Sequence, residues 1–370
     1  MATKLSYLIF FDKLFYPCYS ICSWFFPLFF SKATKPNTII AVKLFGIGSI
    51  TRTVNVLKNS SFNFDCFELI TLHKNKPICI LLGIKAHYIR SENLFFLLKD
   101  CIKTLFIIWR RKNVEIIDLE RTSNLSGIFR LMCTIGNSCS SFTFKSENLD
   151  YKNQRFITLQ NKTAFNAISE IFQLENKPIS TSKNINKTNN IVININAGDY
   201  LPQRKYPINY FVKLIKNLHQ HNPSFQFIFT GSKTEINYTN TLTKQLDALS
   251  IAYKNTAGKL SLNELAALLK NAQIFITNDS GPLHLAYYYK TPTVAIWGPT
   301  SAQLVGYPTS DNMKNVSLNK SCSPCFIHPK SNVAKACNNK IDCFKELDAD
   351  KILDAVLELH QSLNKKTNVK

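Results

Sequence analysis

Thr277-Asn278-Asp279-Ser280-Gly281-Pro282-Leu283-His284-Leu285-Ala286 lies between two apolar runs, Ile274-Phe275-Ile276 before it and Thr293-Val294-Ala295-Ile296 after it. β-Rich runs around a polar turn and a short helical stretch read as strand, turn, helix, strand. The spacing predicts Gly281 as a helix N-cap and Pro282 at the first helical position, leaving the backbone N–H groups of Leu283 and His284 pointing outward. Unpaired donors at the positive end of a helix attract phosphate. Asp279 and His284 bracket that opening, the first as a carboxylate for sugar or ribose hydroxyls, the second as a phosphate partner. Taken alone, such a turn is more often ordinary helix capping, so its weight comes from its neighbours.

Working outward, the second half of the chain repeats the pattern. A strand over Ile191–Ile195 runs into Asn196-Ala197-Gly198, and a helix is expected from Pro207 to His221. A strand over Phe225–Phe229 ends in Thr230-Gly231-Ser232 and is followed by a helix to about Leu249. Ser261 caps a helix from Leu262 to Lys270, with Glu264 as its capping-box partner. The strand after the organising turn ends in Gly298-Pro299-Thr300. Four strands therefore end in small or polar residues, and in open α/β sheets ligands bind outside the carboxyl ends of strands. Those four turns would line one pocket.

The first half alternates in the same way. Thr38–Leu44 is a β-rich run, Gly46-Ile47-Gly48-Ser49 a glycine turn, and Ile50–Asn59 a helical stretch. Strands are expected at Phe67–Leu72, Ile78–Ile84 and Val114–Leu119, and helices at Ser91–Ile108 and Ser123–Ile135. Alternating β and α elements predict a parallel, doubly wound sheet. The expected organisation is a segment over residues 1–35, an α/β domain over 36–175, a polar linker over 176–190, a second α/β domain over 191–345, and a C-terminal helix and tail over 346–370. A cleft between the two domains would place a nucleotide-bearing donor on one and an acceptor on the other.

Composition narrows the partners. The chain has 370 residues and a net charge of +21, from 45 Lys and Arg against 24 Asp and Glu, which favours anionic partners. Lysine dominates the basic residues, and there is no long basic run or aromatic RNA-binding signature. That argues against a nucleic-acid reader. Residues 1–35 are rich in aromatics but carry Asp12, Lys13, Pro17 and Pro27; the uncharged stretch Leu14–Ser31 falls short of the roughly 20 residues a spanning helix needs. An interfacial anchor on an anionic membrane is the favoured reading, against a helix packed on the protein's own body. The 11 cysteines read as thiols of a reducing compartment. Cys322, Cys325, Cys337 and Cys343 admit a structural zinc site, a reading placed behind reduced thiols or a disulfide because the second pair is too widely spaced for a zinc ribbon.

Ala257-Gly258-Lys259, Ser261-Leu262-Asn263-Glu264-Leu265, the run Asn278 to Ala286, Thr291-Pro292 and Gly298-Pro299-Thr300 together resemble glycosyltransferase family 9 over about residues 38–305. The family contains the bacterial ADP-heptose:lipopolysaccharide heptosyltransferases. The resemblance implies two Rossmann-like, doubly wound domains in the GT-B arrangement. It also implies inverting transfer of a heptose-like sugar from a nucleotide-sugar, an ADP-sugar first, to a lipopolysaccharide or other envelope glycolipid, on the cytoplasmic face of the inner membrane. Arg204 or Lys205, ahead of Tyr206-Pro207, would then neutralise donor phosphate, Glu235 would contact the nucleotide ribose, and Asp279, Ser280, Gly281, Pro282, Leu283 and His284 would complete the donor site. No cofactor or catalytic metal is required. One departure stands out: Ser49 occupies the position where the family carries an aspartate as general base, and a serine hydroxyl does not take a proton as a carboxylate does. Asp118 and Glu120, at a strand's carboxyl end, are the replacement candidates, with strand-end capping as their alternative role.

Two other readings stay open. A nucleotide-sugar-binding protein without transfer activity is suggested by Ser49, and an anchored nucleic-acid binder rests on charge alone.

Overall fold

The computed structural model describes residues 37–111, 113–120, 126–127, 138–143, 154–158, 162–174, 189–198, 201–320, 322–325 and 342–368. The aromatic segment over 1–35, most of the linker over 176–190 and Cys337 lie outside them. The chain divides into two compact units, Met1–Pro178 and Ile179–Lys370.

The first unit contains β1 (Thr38–Val42), α1 (Ile47–Lys58), β2 (Phe67–Leu72), α2 (Lys76–Leu82), β3 (Lys85–Ile89), α3 (Leu94–Trp109), β4 (Val114–Asp118), β5 (Ser138–Thr143), β6 (Gln154–Thr158) and α4 (Ala164–Ile171). Its strands form one parallel sheet in the order β3-β2-β1-β4-β5-β6. β1, β2 and β4 are apolar on both faces, as a sheet covered by helices on both sides requires. Of the helix expected over 123–135, only Ser126 and Gly127 are described, and both are helical.

One expected strand is a helix. Ile78–Ile84 reads as a β-rich run, but the chain forms α2 over Lys76–Leu82, burying Ile78, Cys79 and Leu82 while Ile80 is 64% exposed. The punctuation explains the difference. Pro77 sits in the first turn, where its missing N–H costs nothing, and Gly83 follows the last turn with φ 69° and ψ 37°, the left-handed conformation that ends helices.

The second unit contains β7 (Asn190–Asn194), α5 (Ile208–His221), β8 (Gln226–Phe229), α6 (Ile236–Asp247), β9 (Tyr253–Asn255), α7 (Leu262–Asn271), β10 (Ile274–Asn278), α8 (Gly281–Tyr288), β11 (Thr293–Ile296), α9 (Ala302–Val305), β12 (Met313–Val316), α10 (Asp342–Lys345) and α11 (Ala349–Asn368). The sheet order is β12-β11-β10-β7-β8-β9, again all parallel. Both sheets thus have the same doubly wound order, the chain reversing direction across the sheet between β1 and β4 and between β7 and β10. Ligands bind at such reversals. The expected capping box on α7 is present: Glu264 N donates to Ser261 Oγ, and Ser261 N donates to Glu264 Oε2 at 2.7 Å.

Helix α11 belongs to the second unit's core. Ile352, Val356, Leu359 and Leu363 recur at helical spacing, are buried, and pack with the residues of β7, β8, β10 and α5. Each such side chain contributes roughly 1.5–3 kcal/mol of burial. Among the described residues, no helix is long and apolar enough to cross a membrane.

Candidate active site

The chain reversal of the second sheet is tied together by asparagines inside otherwise apolar strands. Register places Thr277 opposite Asn194. Asn194 Nδ2 donates to Ser280 Oγ at 3.1 Å and Thr277 Oγ1 at 3.3 Å, and Asn278 Nδ2 donates to the Ile195 carbonyl at 2.8 Å. Tyr206 N donates to Asn278 Oδ1, so the segment before α5 is pinned over the same edge. All these groups are buried, where an unmade hydrogen bond costs about 1–3 kcal/mol, so the loops are fixed in place. Asn278 was read as part of the organising turn, whereas Asn194 was not singled out from the sequence; its signal was a polar amide at the carboxyl end of an apolar strand.

The organising turn differs in detail from its reading. Ser280, extended at φ −150° and ψ 168°, is the N-cap of α8, while Gly281 is the first helical residue and Pro282 the second. The Ser280 hydroxyl faces Asn194 and Thr277 instead of the helix, so the first turn has no side-chain cap. Leu283 is a core residue. His284 is 6% exposed and its Nδ1 shares a hydrogen bond of 2.7 Å with Tyr307 Oη. Tyr307 in turn stacks on Tyr287, ring centroids 3.6 Å apart. His284 is thus anchored within the second unit through a tyrosine that sequence reasoning missed.

Between Arg204 and Lys205 the structure separates two roles. Arg204 donates through Nη2 to the Ala197 carbonyl at 2.7 Å and through Nη1 to Asp279 Oδ2 at 3.3 Å. Lys205 turns away, its ammonium 4.6 Å from the centre of the Tyr238 ring. Asp279 is buried and paired with this guanidinium. Glu235 is also engaged: Oε1 accepts from Gly198 N at 3.0 Å and Oε2 from Ser232 N and Oγ at 2.8 Å, a capping box that also bolts the β7 loop to the β8 loop. Gly231 is required beside it, since a Cβ there would sit 2.8 Å from Asn196 Nδ2.

Polar capacity remains at this edge. Of the seven buried side-chain atoms without a hydrogen-bond partner among the described residues, four are Asn196 Oδ1, Gln203 Oε1, Arg204 Nε and Thr300 Oγ1, on the loops after β7 and β11. Native structures hold few such groups, and their concentration marks a place where a polar ligand would be matched. Thr300 also lines a pocket of about 310 Å³ with Ser301, Gln303, Ser317, Asn319 and Ser323, at the carboxyl ends of β11 and β12.

In the first unit the three candidate catalytic residues cluster at the reversal between β1 and β4. Glu120 Oε1 accepts from the backbone N–H groups of Leu44 and Phe45, each at 2.7 Å, and Oε2 from Lys43 Nζ at 2.9 Å. Asp118, 3% exposed and opposite Val42, accepts from Glu120 N through Oδ1 and from Ser126 Oγ through Oδ2. Glu120 therefore holds the approach to the glycine turn through the Leu44 and Phe45 backbone donors, and Asp118 fixes the loop that carries Glu120. Ser49 lies in the first turn of α1, partly exposed, its N–H donating to Gly46 O at 3.1 Å and its carbonyl accepting from Thr53 Oγ1.

Of the four C-terminal cysteines, Cys322 is exposed, Cys325 and Cys343 are half-buried, and Cys337 lies outside the described residues. Among the described residues, no group of three or more His, Cys, Asp or Glu side chains is placed to hold a metal ion.

Several known proteins are similar to this chain. Lipooligosaccharide heptosyltransferase 2 of Campylobacter jejuni serotype O:2 is 31% identical over 170 residues, 45% of this chain and 50% of that protein. Lipopolysaccharide heptosyltransferase 2 of Salmonella typhimurium is 29% identical over 106 residues, 28% of this chain and 30% of that protein. The chain thus spans half or less of the length of these curated relatives. Among solved structures, a family 9 glycosyl transferase from Veillonella parvula has a TM-score of 0.69 at 14% identity, covering 90% of this chain and 99% of that one. The E. coli ADP-heptose lipopolysaccharide heptosyltransferase II has a TM-score of 0.62 at 14% identity, covering 88% and 98%. At that identity the two structures speak to the fold. The family model for glycosyltransferase family 9 (heptosyltransferase) matches residues 150–335, half of the chain, including the loops at the carboxyl edge of the second sheet, and on that match the chain belongs to glycosyltransferase family 9.

Proposed function

We propose that this protein transfers a heptose-like sugar, with inversion, from a nucleotide-sugar donor to the core of a lipopolysaccharide or lipooligosaccharide. The second unit binds the donor and the first the acceptor. The observation that carries this reading is Arg204, held between the Ala197 carbonyl and Asp279 at the carboxyl edge of β7 and β10, next to a helix N-terminus without a side-chain cap. A guanidinium and outward N–H groups suit a diphosphate. The relatives named above support heptose as the sugar, and an E. coli heptosyltransferase of the same fold whose structure contains ADP supports an ADP-sugar donor.

In this reading an acceptor hydroxyl attacks the anomeric carbon as the bond from that carbon to the phosphate oxygen breaks, and the hydroxyl proton passes to solvent or to the departing diphosphate. The nucleoside diphosphate leaves with the electron pair, and Arg204 stabilises the charge that develops on it. Asp279 orients Arg204. Asp118 and Glu120 act as positioning residues for the turn carrying Ser49, because their oxygens already accept hydrogen bonds.

The test is incubation of the full chain with ADP-heptose and a heptose-deficient lipopolysaccharide, following ADP release and acceptor mass together. Acceptor gaining one heptose for each ADP is expected. A second reading, donor binding without transfer, is favoured by Ser49 standing where the family carries its base. Tight ADP binding with no glycosylated product would establish it and refute transfer.

A further inference from the structure

Helix α3 carries apolar side chains on two faces. Leu97, Cys101, Leu105 and Ile108 point into the first unit's core. On the face turned to solvent Phe95, Leu98, Ile102 and Phe106 are 68, 43, 54 and 54% exposed. Their spacing of three and four residues makes one continuous stripe along the 16-residue helix, about 24 Å long. Isolated exposed apolar residues need no explanation, whereas a contiguous aromatic stripe marks an interaction surface.

The charges beside it identify the partner. Lys99, Lys103 and Arg110 are exposed and fall, by the same helical spacing, in a row along one flank of the stripe; Lys99 Nζ lies 6.0 Å from the Phe95 ring centre. The helix's single acid, Asp100, faces inward and is paired with Arg90. Glu92, two residues before the helix begins, is the nearest exposed acid in sequence. A second copy of the chain would bring the same row of cations against itself in a desolvated contact, which disfavours self-association. Phosphate headgroups complement the row while acyl chains take up Phe95, Ile102 and Phe106.

We infer that the outward face of α3 is a membrane-docking surface that lies flat in the interface of an anionic lipid bilayer. The partner is the lipid surface itself, and the result leaves the transfer reading untouched.

The test is flotation of the full chain with phosphatidylcholine vesicles, with and without phosphatidylglycerol. The wild type is expected to partition onto the anionic vesicles, and salt to weaken that partition. Phe95→Ser/Ile102→Ser/Phe106→Ser is expected to weaken it by roughly tenfold or more. Lys99→Glu/Lys103→Glu is expected to remove the preference for phosphatidylglycerol, by a similar factor. All five positions are exposed, so thermal unfolding of the variants should match the wild type. Equal binding to both vesicle types, undiminished partition of the triple variant, or a triple variant whose only change is loss of a wild-type dimer would each overturn the assignment.

Discussion

At the scale of single residues, most of the candidate carboxylates are committed to loops. Glu120 is the clearest case, since three donors within 2.9 Å surround its two oxygens. A Gln side chain keeps an oxygen for the Leu44 and Phe45 amides but turns an NH2 toward Lys43, whereas Ala leaves all three donors without a partner. Glu120→Ala is therefore expected to cost on the order of 3 kcal/mol in urea unfolding, and Glu120→Gln less, the difference being the two backbone hydrogen bonds. Transfer by Glu120→Gln is expected to stay within about tenfold of the wild type, because losing a general base removes about 10²–10⁴. A hundredfold loss in a folded Glu120→Gln variant would make Glu120 the base. Sequence alone put these carboxylates at strand ends, with capping as the alternative role of Asp118 and Glu120, but did not reveal the groups they would hold. That Glu235, Asp118 and Glu120 stand at strand ends is written in the chain, while the partners that occupy them, such as Gly198 N and Leu44 N, come from loops far apart in sequence.

At the scale of elements, the link between β3 and α3 contains a pH-sensitive tie. Arg90 donates from its backbone N–H, Nε and Nη2 to Asp100. The guanidinium hydrogen bonds hold the Asp100 carboxyl below its usual value, against burial, which raises it. The neighbouring Glu68 is raised by burial, but hydrogen bonds from His87 and Arg111 outweigh that and leave it lowered. A carboxyl lowered in the folded state stabilises it above the unfolded value of about 4, and that stability is lost as pH falls through the lowered value. Asp100→Asn is thus expected to reduce the urea midpoint at neutral pH, and the gap from wild type to close on acidification below pH 4. A gap that persists undiminished in acid would show that packing, not charge, makes the tie.

The elements that sequence reading found and those it missed divide along the same physical line. Central strands β1, β2, β4, β7, β10 and β11 are apolar on both faces and legible. The unforeseen strands include all four sheet edges, β3, β6, β9 and β12, which carry runs such as Lys85-Ala86-His87 and Tyr253-Lys254-Asn255. An edge strand is partly solvated and commonly carries charge, so it lacks the apolar run that betrays a central one. Helix α2 was missed for the opposite reason: its Ile-rich run outweighed Pro77 and Gly83, which were the better guides.

At the scale of the whole molecule, two sheets of identical order each reverse direction at a loop pair, and the two reversals are built differently. In the first unit Glu120 occupies the backbone donors of the turn after β1. In the second, the loop after β7 holds Arg204, paired with Asp279 of the loop after β10, and three of the buried polar atoms without partners. Under the proposed function, the anionic donor belongs to the second unit. Calorimetric titration of the full chain with ADP is the most direct measurement. The wild type should bind, and a folded Arg204→Ala should bind about tenfold or more weakly through loss of a charge-assisted contact, with its thermal unfolding lowered because Asp279 and the Ala197 carbonyl lose their partner. Equal ADP affinity in wild type and Arg204→Ala would contradict the placement of the diphosphate at this edge.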